Sequence, residues 1–199
     1  MKFQKSKLLL VVCLVFVLMS SMLVGCGSSG SSTSSPDSSV ATPTGPVTPA
    51  AGTKAFESTE YGITFNYPES WKLEKGTDSI LCMYATDATE KKDFYTFNVV
   101  ANESSEKVDV SGLGKQMEEQ YKNQLQNFKV SSNKDTKVSG CDGVRMEYTG
   151  EMSGLKMKCL TLAFAKDKKA FVVTVFGSET GYDKNASALE SLLKTVYVK

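Results

Sequence analysis

No motif in this 199-residue sequence marks a group of side chains for acid–base or nucleophilic catalysis. The chain contains no histidine, which removes Ser-His-Asp and Cys-His nucleophile pairs and the usual zinc sites. Glu118 and Glu119 are adjacent carboxylates, but neighbouring residues of a helix point about 100° apart and do not converge. Asp135, Asp142 and Asp183 are expected at turns, where aspartate bonds its own backbone. We therefore predict no catalytic residue, no metal site and no cofactor, and we do not expect an enzyme.

The thiols of the C-terminal part are a second possible source of chemistry. They belong to Cys82, Cys141 and Cys159. An odd number of cysteines without CxxC spacing does not indicate a disulfide framework. If Ser153-Gly154 forms a hairpin turn, Cys159 faces Tyr148, and Cys141 lies seven residues further along, roughly 23 Å away. A disulfide needs Cα atoms within about 7 Å, so we expect this pair to stay unlinked and all three thiols to pack as small hydrophobic groups.

The first 25 residues have the three parts of an export signal. Positive charges at Lys2, Lys5 and Lys7 precede an apolar stretch from Leu8 to Met19, and small residues follow it. The apolar stretch is about 12 residues long, whereas a membrane-spanning helix needs about 20. We therefore predict that residues 1–25 are a signal peptide that is removed.

Cys26 closes the run Leu23-Val24-Gly25-Cys26, which resembles the lipobox of bacterial lipoproteins. The resemblance implies that Cys26 is the lipidation site and the mature N-terminus, with a diacylglyceryl group on its thiol. One acyl chain anchors only marginally, so durable attachment needs two or three. We expect a cell-membrane protein that is lipid-anchored on the extracytoplasmic face. An uncleaved signal anchor or an ordinary secretory signal would also place the chain outside the membrane.

Residues 26–55 are predicted to be the lipidated cysteine followed by a flexible linker. Residues 27–54 consist almost wholly of Ser, Thr, Pro, Gly and Ala, with no aromatic residue. Such a segment cannot bury enough apolar surface to offset its ordering entropy. A coil of this length spans about 30 Å on average and at most roughly 90 Å, which lifts the domain clear of the lipid headgroups.

Residues 56–199 carry the periodic patterns of one α+β domain. The patterns predict strands in 56–67, 79–85, 94–101, 143–150, 155–165 and 170–176, and helices in 109–127 and 183–194. These elements indicate an antiparallel sheet of about six or seven strands with helices packed on it. The strand in 170–176 is apolar on both faces, so it should be central in the sheet. Asp109 or Ser111 is expected to cap the first helix.

The stretch Tyr61-Gly62-Ile63-Thr64-Phe65-Asn66-Tyr67-Pro68-Glu69-Ser70-Trp71-Lys72 resembles the opening of PsbP-like domains, the family of the photosystem II extrinsic protein. The resemblance covers residues 56–199 and implies an α/β/α sandwich around an antiparallel sheet. Plant members of that family are accessory proteins of a membrane complex. The resemblance supplies a fold but no functional residue, and Pro68 and Trp71 are interpreted as a strand end and a core side chain.

Charge and composition limit the partners of the domain. Residues 56–199 hold 19 basic and 21 acidic residues, so the net charge is about −2 with the signs interspersed. This distribution favours neither nucleic acid nor an anionic membrane surface beyond the anchor. The leading hypothesis is a non-catalytic accessory lipoprotein that binds an envelope protein complex. The alternatives are a small-ligand-binding lipoprotein, for a solute or lipid, with a tyrosine-lined pocket between the sheet and the helix near 113–128, and a wall-remodelling enzyme that uses Ser or Asp.

Overall fold

The structure is a computed structural model, and it describes residues 43–86 and 93–199. The periodic segments of the sequence form ten strands and two helices in these ranges. They are, in chain order, β1 (Thr53–Ser58), β2 (Ile63–Pro68), β3 (Glu74–Lys75), β4 (Ile80–Ala85), β5 (Tyr95–Glu103), α1 (Leu113–Gln124), β6 (Gln126–Val138), β7 (Cys141–Met152), β8 (Leu155–Lys166), β9 (Lys169–Gly177), α2 (Glu179–Leu193) and β10 (Tyr197–Val198). The predicted α+β class with a large antiparallel sheet is confirmed. Cys26, the predicted signal peptide and most of the predicted linker lie outside the described residues.

The large sheet has seven strands in the order β3-β4-β5-β9-β8-β7-β6, and every pairing is antiparallel. β9 is the central strand, as its continuous apolar run predicts, and both of its faces are buried. The hairpin between β7 and β8 turns at Ser153 and Gly154, whose φ angles of 52° and 74° are those of a type I′ turn. This turn sets the predicted register, in which Cys159 pairs with Tyr148.

Successive side chains of each strand alternate between two faces of the sheet. The first face, which carries Phe97, Leu162 and Val173, contributes to the main hydrophobic core. α2 packs over β5, β8 and β9 on this side, and the small sheet β1-β2-β10 lies next to α2 through β2. The predicted core role of Trp71 is confirmed, because its ring is buried and stacks on Tyr84 at 4.7 Å between centroids.

The second face carries Tyr148, Thr161 and Thr174, which alternate with the side chains of the first face. α1 lies over β6 and β7 on this side and buries Leu113 and Met117, residues of the predicted apolar stripe. The two helices therefore cover opposite faces of one sheet, which is the α/β/α arrangement expected from the sequence.

The start of the domain differs from the prediction in two ways. The aromatic segment 56–67 forms two strands, β1 and β2, joined by a turn in which Gly62 has a φ of 71°. The ordered chain also begins before residue 56: Asn66 Nδ2 donates to the carbonyl of Val47 at 3.0 Å, and Thr53 already belongs to β1. The last part of the predicted linker is thus held against the folded domain by backbone pairing and by one buried amide.

β6 was not predicted from the sequence. It is the edge strand of the large sheet, so one side of it has no partner strand, and Val138 is its single buried residue. Its register with β7 shifts twice, between Gln126 and Lys129 and between Val130 and Ser132. A polar edge strand with two bulges loses the alternation by which strands are recognised in a sequence.

The predicted cap of α1 is wrong. Gly112 occupies the N-cap position with a left-handed φ of 71°, and no side chain caps the helix. Asp109 instead accepts hydrogen bonds from Ser111 N (2.8 Å) and Ser111 Oγ (2.7 Å) in the preceding turn. A short acidic side chain can bond a nearby turn as readily as a helix end, so the sequence pattern could not separate the two.

Gly181, in the first turn of α2, allows the helix to touch the backbone at the start of β5. A Cβ atom at this position would overlap the carbonyl oxygen of Phe94 and lie 2.9 Å from that of Asp93. We expect Gly181→Ala to lower the free energy of unfolding by about 1–3 kcal/mol, because backbone atoms cannot rotate away. Urea unfolding measures this, and Gly45→Ala, where a Cβ meets nothing within 4 Å, is the control. Equal stabilities of the two variants would contradict this packing.

Candidate functional site

The chain's single arginine, Arg145, joins β7 to α2 through a cluster of partly buried charges. Its Nη1 donates to Glu190 Oε2 at 3.1 Å, and its Nη2 donates to the other oxygen of the same carboxylate. Its Nε and Nη2 also donate to Glu147 Oε1 at 3.1 and 2.8 Å. The hydrogen bonds to Glu190 are the main reason that the pKa of the guanidinium is raised above its ordinary value. The side chain of Arg145 is only 23% exposed, so this pairing is partly shielded from water.

A second ion pair extends the cluster along α2. Lys158 Nζ lies 2.6 Å from Asp183 Oδ1 and 5.0 Å from the ring centroid of Tyr182. Burial, the largest cause, raises the pKa of the Tyr182 hydroxyl. The sequence analysis did not single out this cluster; the presence of one arginine among 23 basic residues was the signal that could have found it.

The charges of this cluster satisfy each other. The planar fork of a guanidinium binds a ligand carboxylate or phosphate when its donors are free. The fork of Arg145 is instead occupied by the carboxylates of Glu147 and Glu190. The arrangement therefore fixes α2 against β7.

The carboxylates considered from the sequence do not form an acid–base pair. Glu118 accepts a hydrogen bond from Asn133 Nδ2 at 3.2 Å, whereas Glu119 lies 4.0 Å from Lys115 Nζ. Their side chains therefore have different partners, as predicted from helical geometry.

The prediction that three aspartates lie at turns is wrong. They lie within regular elements: Asp135 in β6, Asp142 in β7 and Asp183 in α2. Asp142 pairs with Lys137 across the hairpin at 2.5 Å. Within residues 43–86 and 93–199, no three Cys, Asp or Glu side chains are grouped closely enough to hold a metal ion.

The three cysteines of the domain are free thiols. Burial raises the pKa of Cys82 and of Cys159 to about 12, so both remain protonated at neutral pH. Cys141 is half-buried, and burial also raises its pKa, although Lys166 opposes the shift. Since the thiolate is the nucleophile, none of these groups has the lowered pKa of a reactive cysteine.

Tyrosines meet under α1, where the sequence analysis placed a possible ligand pocket. The rings of Tyr121 and Tyr148 stack at 4.6 Å between centroids, and Phe128 packs 5.6 Å from Tyr148. Both tyrosine hydroxyls reach Thr161 Oγ1, at 3.0 and 3.3 Å. Burial raises the pKa of Tyr121 to about 12. The tyrosines therefore fill the space under the helix with each other.

Similar folds occur in solved structures of low sequence identity. The solution structure of CyanoP, the PsbP protein of Synechocystis sp. PCC 6803, matches with a TM-score of 0.57 and 14% identity, over 76% of this chain and 95% of that one. LpqN of Mycobacterium tuberculosis matches with 0.58 and 10% identity, over 74% and 90%. PA94 of Pseudomonas aeruginosa matches with 0.53 and 13% identity, over 75% and 99%. The fold is therefore the PsbP-like α+β fold.

Within this fold class the chain belongs to the DcrB family, whose family model matches residues 64–195. That range runs from β2 to the end of α2, so it includes the complete large sheet and both helices. No curated protein matches the chain. None of the helices in the described part of the chain is long and apolar enough to cross a membrane.

Thr161 should matter for stability because it is the shared hydrogen-bond partner of two buried tyrosines. We expect Thr161→Val to lower the free energy of unfolding by about 1 kcal/mol, since the hydroxyls of Tyr121 and Tyr148 lose a hydrogen-bond partner while volume is kept. Thr149→Val, an exposed position on β7, is the matched control for the same chemical change. Urea unfolding of both variants compares them, and a Thr161→Val variant as stable as the control would contradict the contact.

The three thiols should differ in their reaction with iodoacetamide. We expect Cys141 to be alkylated first at pH 8 in the mature chain, and Cys82 and Cys159 at least tenfold more slowly, because burial excludes the reagent and keeps both thiols protonated. Peptide mass spectrometry over time measures the three rates. The difference should vanish in urea, and equal rates in the folded protein would contradict the burial of Cys82 and Cys159.

Proposed function

We propose that this protein is a lipid-anchored, extracytoplasmic accessory protein that binds a protein complex of the cell envelope and performs no catalysis. The observation that carries the proposal is the pairing of Arg145 with Glu147 and Glu190, which uses the chain's single guanidinium for the structure of the domain itself. The raised pKa values of the thiols support the same conclusion. A domain of this kind contributes a surface rather than a reactive group.

The tether supports a role close to the membrane. Val47, whose carbonyl accepts a hydrogen bond from Asn66 Nδ2, lies 21 residues after Cys26. At about 3.3–3.6 Å per residue, the stretched tether reaches roughly 70 Å, which is shorter than the linker expected from the sequence. The domain would therefore stay within roughly 70 Å of the bilayer surface, where it can reach the outer parts of envelope complexes.

Structural neighbours are consistent with this proposal. LpqN is described as involved in cell envelope biogenesis, and CyanoP is a PsbP protein. At 10% and 14% identity these likenesses concern the fold, so they support an envelope role without naming a partner. The small-ligand alternative needs a site other than the filled tyrosine cluster, and the wall-remodelling alternative needs a reactive Ser or Asp.

Two cysteines of the N-terminal segment provide a matched test. We expect Cys26→Ser to abolish incorporation of an alkyne-labelled fatty acid and to leave the precursor unprocessed, because the acyl acceptor is lost. Cys13→Ser, within the apolar stretch, should be labelled and processed as the native chain is. Labelling and precursor size on gels measure both effects, and amine-reactive crosslinking in the same intact cells should give a discrete adduct with the native chain and with Cys13→Ser.

The two parts of the proposal fail separately in this experiment. Lipid labelling of Cys26→Ser would refute the anchor, whatever the crosslinking shows. Normal labelling of the native chain without any discrete crosslinked adduct would refute the accessory role while leaving the anchor intact.

A further inference from the structure

The second half of β6 is a regular strand whose outer side has no partner strand among the described residues. Both register shifts of β6 occur before Ser132, and from Ser132 to Val138 the ladder with β7 is unbroken. Bulges turn an edge strand away from further pairing, so they protect only the first half of β6. The second half presents a regular edge that can pair with another strand.

The hairpin turn at Ser139-Gly140 determines which backbone groups of this edge face outward. The φ angles of the two turn residues are 52° and 76°, as in a type I′ turn, so Val138 and Cys141 form a hydrogen-bonded pair. Every second residue before Val138 therefore bonds to β7 in the same way. The backbone N–H and C=O groups of Asp135 and Lys137 consequently point away from β7, toward the free side.

The side chains of Asp135 and Lys137 lie on the same face of the sheet, because they are two residues apart in a strand. Lys137 Nζ lies 2.5 Å from Asp142 Oδ1 on β7. Asp135 is exposed and lies opposite the apolar Val144, and its carboxylate has no cation partner within residues 43–86 and 93–199. The free edge thus carries one acid that the domain itself leaves without a cation.

A second copy of the same strand can extend the sheet about a twofold axis perpendicular to it. This axis keeps each side chain on its own face, and directly opposite residues share a face, so the axis must pass through one residue. An axis through Lys134, Asp135 or Lys137 places that residue opposite its own like charge, which is destabilising. An axis through Thr136 instead places Asp135 of each copy opposite Lys137 of the other.

We propose that β6 pairs with β6 of a second copy of this chain, antiparallel and centred on Thr136. Asp135 and Lys137 exchange backbone hydrogen bonds across the contact, and their side chains form two opposite-charge pairs, while the two Thr136 side chains meet on the axis. Lys137 then lies between Asp142 of its own chain and Asp135 of the second copy. The two seven-stranded sheets become one continuous sheet.

The contact is short, so it buries much less surface than a permanent dimer does and forms reversibly at high local concentration. It goes beyond the proposed accessory role, because it joins two copies of the chain and uses no residue of the N-terminal segment. Failure of the lipid anchor or of the partner complex would therefore leave it standing.

Disulfide crosslinking tests the pairing in intact cells that express the full chain with Cys141→Ala. Thr136 would form a non-hydrogen-bonded pair with its copy, with Cα atoms about 4.5 Å apart, so Thr136→Cys should give a disulfide-linked dimer on oxidation with copper phenanthroline. Ser132→Cys is the matched control, since Ser132 lies on the same face of β6 and is also half-buried. Its copy would lie about 26 Å away, so we expect at least ten times less dimer.

Exchange of charges tests the register. In the Thr136→Cys chain, Asp135→Lys and Lys137→Asp should each lower the yield of dimer about tenfold, because like charges then face each other twice. The two variants carry different tags and are also expressed together. Each lysine of one strand then faces an aspartate of the other, so the mixed dimer should form as readily as the native one.

Circular dichroism melting of the purified variants establishes that each is folded. Asp135→Lys breaks no ion pair of the described domain, so it tests the contact even where Lys137→Asp is destabilised by loss of Asp142 as its partner. Equal or absent crosslinking at positions 136 and 132 would overturn the proposal. It would also be overturned if Asp135→Lys crosslinked as the native chain does, or if two folded variants failed to form the mixed dimer.

Discussion

The structure depends on a central strand that must be buried on both sides. β9 is buried from its second residue to its last, and neither of its faces can be left in water. α2 meets this need on the first face, and α1 covers the β6–β7 half of the second. Trp71 and the small sheet complete the main hydrophobic core on the first face. Gly181 lets α2 pack closely against the backbone at the start of β5.

Polar groups are treated differently on the two faces. On the first face, Arg145 and its carboxylates lie at the margin of α2, where partial exposure keeps the desolvation cost low and the ion pairs hold the helix in position. On the second face, Thr161 lies in the buried middle of the sheet, where its hydroxyl needs specific partners, and the hydroxyls of Tyr121 and Tyr148 supply them. Both arrangements use side chains of the domain itself.

The fold and the family constrain function only in part. Proteins with 10–14% identity share the sheet and its covering helices, because the burial pattern tolerates extensive change of side chains. The DcrB family model matches the same region, residues 64–195. The proposed function therefore rests on the pairing of Arg145 with Glu147 and Glu190 in this chain rather than on the shared fold.

Several features could be predicted from the sequence because they depend on local chemistry. The apolar period placed β4, β5, β7, β8, β9 and both helices, and Ser153-Gly154 set the hairpin register. β6 and the cap of α1 could not be predicted, because a polar edge strand and a left-handed glycine have no distinctive pattern. Asp135, Asp142 and Asp183 were misplaced for a related reason, since aspartate suits turns but also pairs with lysine in strands and helices.

The export signal and Cys26 were inferred from the sequence alone. Only the tertiary structure determined that Glu190 meets Arg145 across 45 residues, and that Tyr121 meets Thr161 across 40. Such contacts join residues far apart in the chain, and no local spacing specifies them.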